Sequence, residues 1–144
     1  MTDITTQYLG LQLNSPLVVS SNPFTQKIDN ILAMEDNGAG AVVLFSLFEE
    51  QIRKESKNLE NVYMQTTNAF ADASGFFPEM EDYAVGSSQY LELIRTAKER
   101  VEIPIIGSLN GITPEGWIEY ARDIEFAGAD ALEINVDFIP ADIR

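Results

Sequence analysis

This 144-residue sequence predicts an α/β fold built on parallel strands, and three observations carry that prediction. Four short segments, Pro16 to Ser20, Ala41 to Leu47, Pro104 to Leu109 and Ala131 to Val136, are continuously apolar and β-rich, as strands buried on both faces must be. Between them, apolar residues recur at helical spacing. Strand and helix therefore alternate, which calls for right-handed crossovers and a parallel sheet.

Ahead of the first strand, Tyr8, Leu9, Leu11 and Leu13 surround Gly10, and the leucines alternate with polar or small residues. That pattern predicts a short hairpin or edge strand, placed to plug the bottom of a barrel. After the first strand, Ile28, Ile31 and Leu32 mark a helix, with Thr25 as its expected N-cap and Gly38 at its left-handed end. Gly40 is read as a site of close helix-to-strand packing. The helix before the third strand is expected over Ser88 to Arg100: Leu91, Ile94, Ala97 and Val101 form one face, and Lys98 and Arg100 complement the negative end of its dipole. The clearest helix opens on Thr113 and Pro114, an N-cap and first-turn pair, carries Trp117, Ala121 and Ile124 as its stripe, and stops at Gly128.

Strand starts at 16, 41, 104 and 131 are 25, 63 and 27 residues apart, against roughly 30 per unit in a (β/α)8 barrel. The middle connection thus carries an insertion, placed at Ser56 to Gly86, where Tyr63, Phe70, Phe76, Phe77 and Tyr83 surround Gly75 and Pro78 without a sustained period. Long connections of this kind serve as lids or pack down on their own aromatics. With no internal repeat and no low-complexity linker, residues 1–144 read as one domain. At this level two architectures fit, a doubly wound open sheet and half of a (β/α)8 barrel.

Composition narrows the chemistry. At 45% apolar and 22% charged residues, the chain is that of a soluble globular unit. It has no Cys and no His, which excludes disulfides, thiolate or imidazole metal sites, and Ser/His or Cys/His nucleophile pairs; any metal would need oxygen ligands, and none is predicted. The net charge of -14 repels phosphate backbones and anionic membranes, so neither nucleic acid nor a membrane is an expected partner. The acidic residues are scattered, as on a solvated surface. No apolar run approaches the roughly 18 residues of a membrane span, and MTDITTQ lacks the order of a secretory signal; the expected location is cytoplasmic.

In parallel α/β sheets ligands bind beyond the carboxyl ends of the strands. Those ends read Ser20, Ser21, Asn22; Phe45, Ser46, Leu47; Ser108, Leu109, Asn110, Gly111; and Asn135, Val136, Asp137. Each delivers a neutral hydroxyl or amide, which suits a flat polar heterocycle read by directional hydrogen bonds. Ser and Asn are also ordinary turn formers, so the signal lies in their coincidence on four strands. The chain has no Gly-x-Gly-x-x-Gly and no Gly-x-x-x-x-Gly-Lys-Ser/Thr, the two common phosphate-cradling loops.

LGLQLNSPLVVSSNP, EDNGAGAVVLFSLFEEQI and IPIIGSLNGITPEGWIEYARDIEFAGADALEINV resemble the N-terminal half of dihydroorotate dehydrogenase-like proteins, FMN-dependent (β/α)8 barrels. The resemblance covers essentially the whole chain; SLFEEQI (Ser46 to Ile52) and SLNGITPEGW (Ser108 to Trp117) are its more specific segments. It implies the N-terminal half of a TIM barrel, about four β/α units with an insertion after the second strand. It also implies an oxidoreductase in which FMN lies across the carboxyl face and exchanges a hydride with dihydroorotate or a similar ring, in pyrimidine biosynthesis. Residue by residue, it places Ser20 and Ser21 where the first strand meets the flavin, extends Asn110 toward the same ring, and sets Asn135 of Glu-Ile-Asn at the family's Glu-Leu-Asn amide, which faces flavin and substrate. Ser46 matches the Ser of the family's Lys-Ser pair, with Phe45 in place of the Lys. The family's base, a Cys or Ser, falls near Phe138, which cannot accept a proton, beside Asp137. No catalytic base is assigned.

Full members of this family run to about twice this length and hold the flavin phosphate on loops after the seventh and eighth strands. The resemblance therefore implies a homo-oligomer or a missing C-terminal half. Two other readings stand beside it. One is a non-catalytic half-barrel or assembly subunit; the other is a flavodoxin-like module with Ser20 to Thr25 as phosphate loop, which requires the strand order to reverse.

Overall fold

The computed structural model describes residues 3–54, 57 and 85–136. It opens on an antiparallel hairpin, β1 (Thr6–Tyr8) and β2 (Leu11–Leu13), as the alternation around Gly10 predicts. Leu9 (φ 52°) and Gly10 (φ 78°) both adopt the left-handed conformation that a two-residue hairpin turn favours.

The first parallel strand, β3 (Val18–Val19), leads into a 3₁₀ turn over Pro23–Gln26 and then helix α1 (Ile28–Asp36). Here the expected cap is corrected. Asn22 caps the 3₁₀ turn, its Oδ1 accepting from the Phe24 backbone N–H at 2.9 Å, because Pro23 fixes the first turn immediately after it. Thr25 is fully buried inside that turn, its hydroxyl donating to the Asn22 carbonyl, and α1 starts from Lys27 without a side-chain cap.

The expected second strand is two short ones, β4 (Ala41–Val43) and β5 (Leu47–Phe48), both parallel to the same neighbour, β6 (Ile105–Asn110). Val43 pairs with Ile106 and Leu47 with Leu109, so three residues on one strand face two on the other. That is a β-bulge across 44–46. The helix α2 begins at residue 49 and is described to residue 54. Helix α3 (Val85–Arg100) starts three residues before its expected position, and α4 (Pro114–Phe126) matches its signals, with the Thr113 hydroxyl accepting from the Gly116 N–H. Strand β7 (Ala131–Ile134) completes the described sheet, pairing parallel with β6 in a register that sets Ser108 opposite Glu133.

Spatial order follows chain order: β3, then β4 and β5, then β6, then β7. A flavodoxin-like sheet requires a reversal that the described strands do not make. The mixed α/β architecture with its parallel sheet is consistent with part of a TIM-barrel-like fold.

Side chains alternate between two cores. On the helix side, Val42, Leu44, Leu47, Ile105 and Leu109 pack with Ile31, Tyr90, Ile94 and Ile124. On the opposite, inner face, Ala41, Val43 and Ile106 pack with Leu13 of the hairpin, which covers the amino-terminal end of the strands. The close approach at Gly40 is to backbone and not to a helix: a Cβ there would collide with the Ser15 carbonyl oxygen. Beside β7 the flank is apolar and open, with Ile118, Ile134 and Val136 exposed. The insertion expected over Ser56 to Gly86 lies outside the described residues apart from 57, 85 and 86, and so do Asp137 and Phe138. Among the described residues no helix is long and apolar enough to cross a membrane, and no group of His, Cys, Asp and Glu could hold a metal ion.

Candidate functional site

The inner face changes character along the strands. Near their amino ends it is apolar; toward the carboxyl ends, the positions two residues on from Ile106 and Ala131 are Ser108 and Glu133, followed by Asn110 and Asn135. On the second strand, unbroken alternation from Ala41 and Val43 would aim residue 45 inward and residue 46 at the helices. The bulge reverses this. Phe45 packs edge-on against Tyr90 in the helix-side core (centroids 5.0 Å apart, 78° between planes), and Ser46 faces inward.

Four chain segments thereby bring their side chains together. Ser46 Oγ lies 3.2 Å from Ser21 Oγ and 2.9 Å from Ser108 Oγ. Ser108 donates to Glu133 Oε1 at 2.9 Å. Asn135 Nδ2 donates to Ser108 Oγ at 3.0 Å and to Ser46 Oγ at 3.3 Å. Ser108 is fully buried, whereas Ser21, Ser46 and Asn135 keep partial access to solvent.

Tyr90 supports this cluster from behind. In the parallel ladder the main-chain groups of Ser108 face the second strand, where the bulge takes the strand partner away. The Tyr90 hydroxyl fills the gap, accepting from the Ser108 N–H at 2.8 Å and donating to the Ser108 carbonyl at 3.3 Å. Burial pushes the Tyr90 phenol up to about 12, the nearby Glu133 charge adds to the rise, and the Ser108 N–H only partly offsets it.

A second buried group ties the rim together. Glu49, 2% exposed at the start of α2, accepts from the Ile112 N–H at 2.5 Å, the Thr113 N–H at 2.9 Å and the Thr113 hydroxyl at 2.7 Å. Burial alone would raise its carboxyl, but these donors, with the Arg53 charge, hold it below the ordinary range. The fit has no slack, since a Cβ on Gly116 would run into the Glu49 carboxylate. SLFEEQI and SLNGITPEGW, the two segments that stand out in the sequence, are thus in direct contact through Glu49 and Thr113.

Of the expected site residues, Ser21, Ser46 and Asn135 meet in one cluster. Asn110 lies two residues beyond Ser108 on β6, and its Oδ1 is buried with no hydrogen-bond partner among the described residues. Ser20 stays outside: it is exposed, and among the described residues its carbonyl is engaged by Asn22 Nδ2 at 2.7 Å. Ser108 as the hub and Glu133 as its acceptor were not expected. The signal that finds them is strand spacing, since each precedes an expected Asn by two residues on the same face.

No family model matches the chain. Over 137 residues, 94% of the chain, it is 29% identical to the "Dihydroorotate dehydrogenase B (NAD(+)), catalytic subunit" of Thermoplasma acidophilum, and the match spans 42% of that relative's length. The chain is thus distantly similar to less than half of a dihydroorotate dehydrogenase catalytic subunit.

Proposed function

We propose that this chain forms the flavin-facing part of an FMN-dependent oxidoreductase of the dihydroorotate dehydrogenase-like type, oxidising dihydroorotate or a similar ring in cytoplasmic pyrimidine biosynthesis. The observation that carries the reading is the convergence of Ser21, Ser46, Ser108 and Asn135 on one rim at the carboxyl ends of parallel strands. The similarity along 94% of the chain points to the same chemistry.

The residues fit a flavin edge. An isoalloxazine ring presents N–H and C=O groups in one plane, and this rim offers neutral hydroxyls and amides. The buried, unpartnered Oδ1 of Asn110 is an acceptor whose desolvation is offset once a ligand N–H reaches it. Ser21, Asn110 and Asn135 would hold the ring edge, with Ser46 fixing Ser21 and Asn135 from behind and Ser20 exposed at the same rim; the Glu49 clasp keeps the loops after the second and third strands in register. Bound FMN supplies the hydride acceptor.

Further chain or a second copy would complete the sheet along the β7 flank, where Ile118, Ile134 and Val136 are exposed, and would bring the phosphate-binding loops. No observation favours the non-catalytic assembly reading.

The test is titration of FMN into this chain, followed by flavin fluorescence, then anaerobic addition of dihydroorotate to the complex. Binding and bleaching are expected, and Asn110→Ala, which removes the buried acceptor offered to the ring, should weaken binding by roughly tenfold, the worth of one hydrogen bond. Failure of both this chain and a C-terminally extended one to bind FMN overturns the reading.

A further inference from the structure

The hydroxyl cluster has a direction. As a carboxylate, Glu133 can only accept, so the 2.9 Å contact spends the Ser108 hydroxyl hydrogen. A hydroxyl has one hydrogen, so Ser46 must donate across the 2.9 Å contact to Ser108. By the same count Ser21 donates across the 3.2 Å contact to Ser46. The Asn135 amide fills the remaining acceptor position on both Ser46 and Ser108. Every hydroxyl hydrogen points toward Glu133, and the open end of the chain is the acceptor side of Ser21, which is half-buried at the rim. Full burial of Ser108 keeps water from interrupting the line. The phenol of Tyr90, the other titratable group against Ser108, is occupied by the Ser108 main chain.

We propose that Glu133 is the terminal proton acceptor of this site, reached through the hydroxyls of Ser21, Ser46 and Ser108. The inference rests on the flavin-dependent reading above. Oxidising a ring CH–CH unit to C=C releases one hydrogen as hydride, which the flavin accepts, and the other as a proton. The proton from the second C–H passes to Ser21 Oγ, and the electron pair of that bond becomes the new π bond. Ser21 gives its own proton to Ser46, Ser46 to Ser108, and Ser108 to Glu133. Three hydroxyls are regenerated with their direction reversed, and Glu133 ends as a neutral carboxylic acid. This supplies a proton route in a chain that has Phe138 at the family's base position and no His or Cys anywhere.

The experiment compares the wild-type chain with Glu133→Gln, Glu133→Asp and Ser46→Ala, using FMN and dihydroorotate as probes. Glu133→Gln and Ser46→Ala should each slow anaerobic flavin reduction by about 100-fold or more, the usual worth of a positioned base. Glu133→Gln should leave FMN affinity unchanged, and Glu133→Asp should recover part of the rate. Infrared difference spectra on reduction should show a protonated-carboxyl band in the wild type that is absent in Glu133→Gln. Independently of cofactor, the shielded Ser108 hydroxyl proton should give a slowly exchanging resonance with a nuclear Overhauser contact to the Glu133 side chain. Wild-type rates in both blocking variants, with no carboxyl band, overturn the relay and leave flavin binding intact. A wild-type chain that binds no FMN, alone or extended, overturns the relay together with the reading beneath it.

Discussion

The phenolic oxygen of Tyr90 stands 2.8 Å from the backbone nitrogen of Ser108 and 3.3 Å from its carbonyl oxygen, doing for β6 what a neighbouring strand does elsewhere. A helix side chain thus completes a sheet at the place where the bulge opens it. Tyr90→Phe keeps the ring that meets Phe45 and removes only the hydroxyl. The buried Ser108 N–H is then left without a partner, so unfolding by urea should show a loss of about 1–3 kcal/mol. An unchanged midpoint would mean that the ladder closes without Tyr90.

The same phenol predicts behaviour in alkali. Its folded value, about 12, lies above the ordinary 10.0 of a tyrosine, so the folded state holds this proton more tightly than the unfolded one. Its contribution is fully present below pH 10 and is lost as pH rises toward 12, an overall decline of about 2–3 kcal/mol. Ultraviolet titration of the folded chain should show a tyrosine step near pH 12, and Tyr90→Phe should abolish that step. The alkaline decline should shrink with it.

The α/β class, the strand positions and the helix capped by Thr113 were legible because each rests on local signals: apolar runs, a Thr-Pro start, a Gly end. The bulge was not. Ala41 to Leu47 reads as one strand, and the extra residue shows only against the register of β6, which is a long-range fact. For the same reason Ser46 could be proposed from resemblance but not from alternation, which aims it at the helices. Thr25 failed as a cap because Asn22 and Pro23 compete for the same turn with better chemistry. Glu133 was hidden by its type, since a glutamate in an acidic chain reads as surface until its register opposite Ser108 is known.

Glu49 gives a prediction at the acidic end. Its carboxyl titrates below the ordinary 4.5 of a glutamate because Ile112, Thr113 and Arg53 favour the ionised form against the cost of burial. Its stabilisation is therefore present above about pH 4.5 and is lost as pH falls through the folded value. Glu49→Ala should destabilise by about 1–3 kcal/mol at neutral pH, because it strands two backbone donors under α4. Relative to wild type, the variant's stability should fall less steeply below pH 4.5. Parallel acid limbs in chemical denaturation would show that the clasp does not couple to protonation.

Gly38 and Gly40 are two residues apart and should fail under substitution for different reasons. Gly38 has φ +90° and open space where a side chain would project, so backbone conformation is what it supplies. Asn tolerates the left-handed region better than Ala does, so Gly38→Asn should cost less than Gly38→Ala, with both changes of about 1 kcal/mol. Gly40 needs no special φ, but any Cβ runs into the Ser15 carbonyl. That obstacle is backbone, and its displacement would disturb the 2.7 Å bond from the Gly40 N–H to Leu17 and the entry into β3. Gly40→Ala should therefore cost about 1–3 kcal/mol, the range for overpacking, and Gly40→Asn at least as much. Thermal unfolding of the four variants checks the pattern: Asn should partly rescue position 38 and not position 40. Equal rescue at both would mean that the Ser15 backbone does not pack on Gly40.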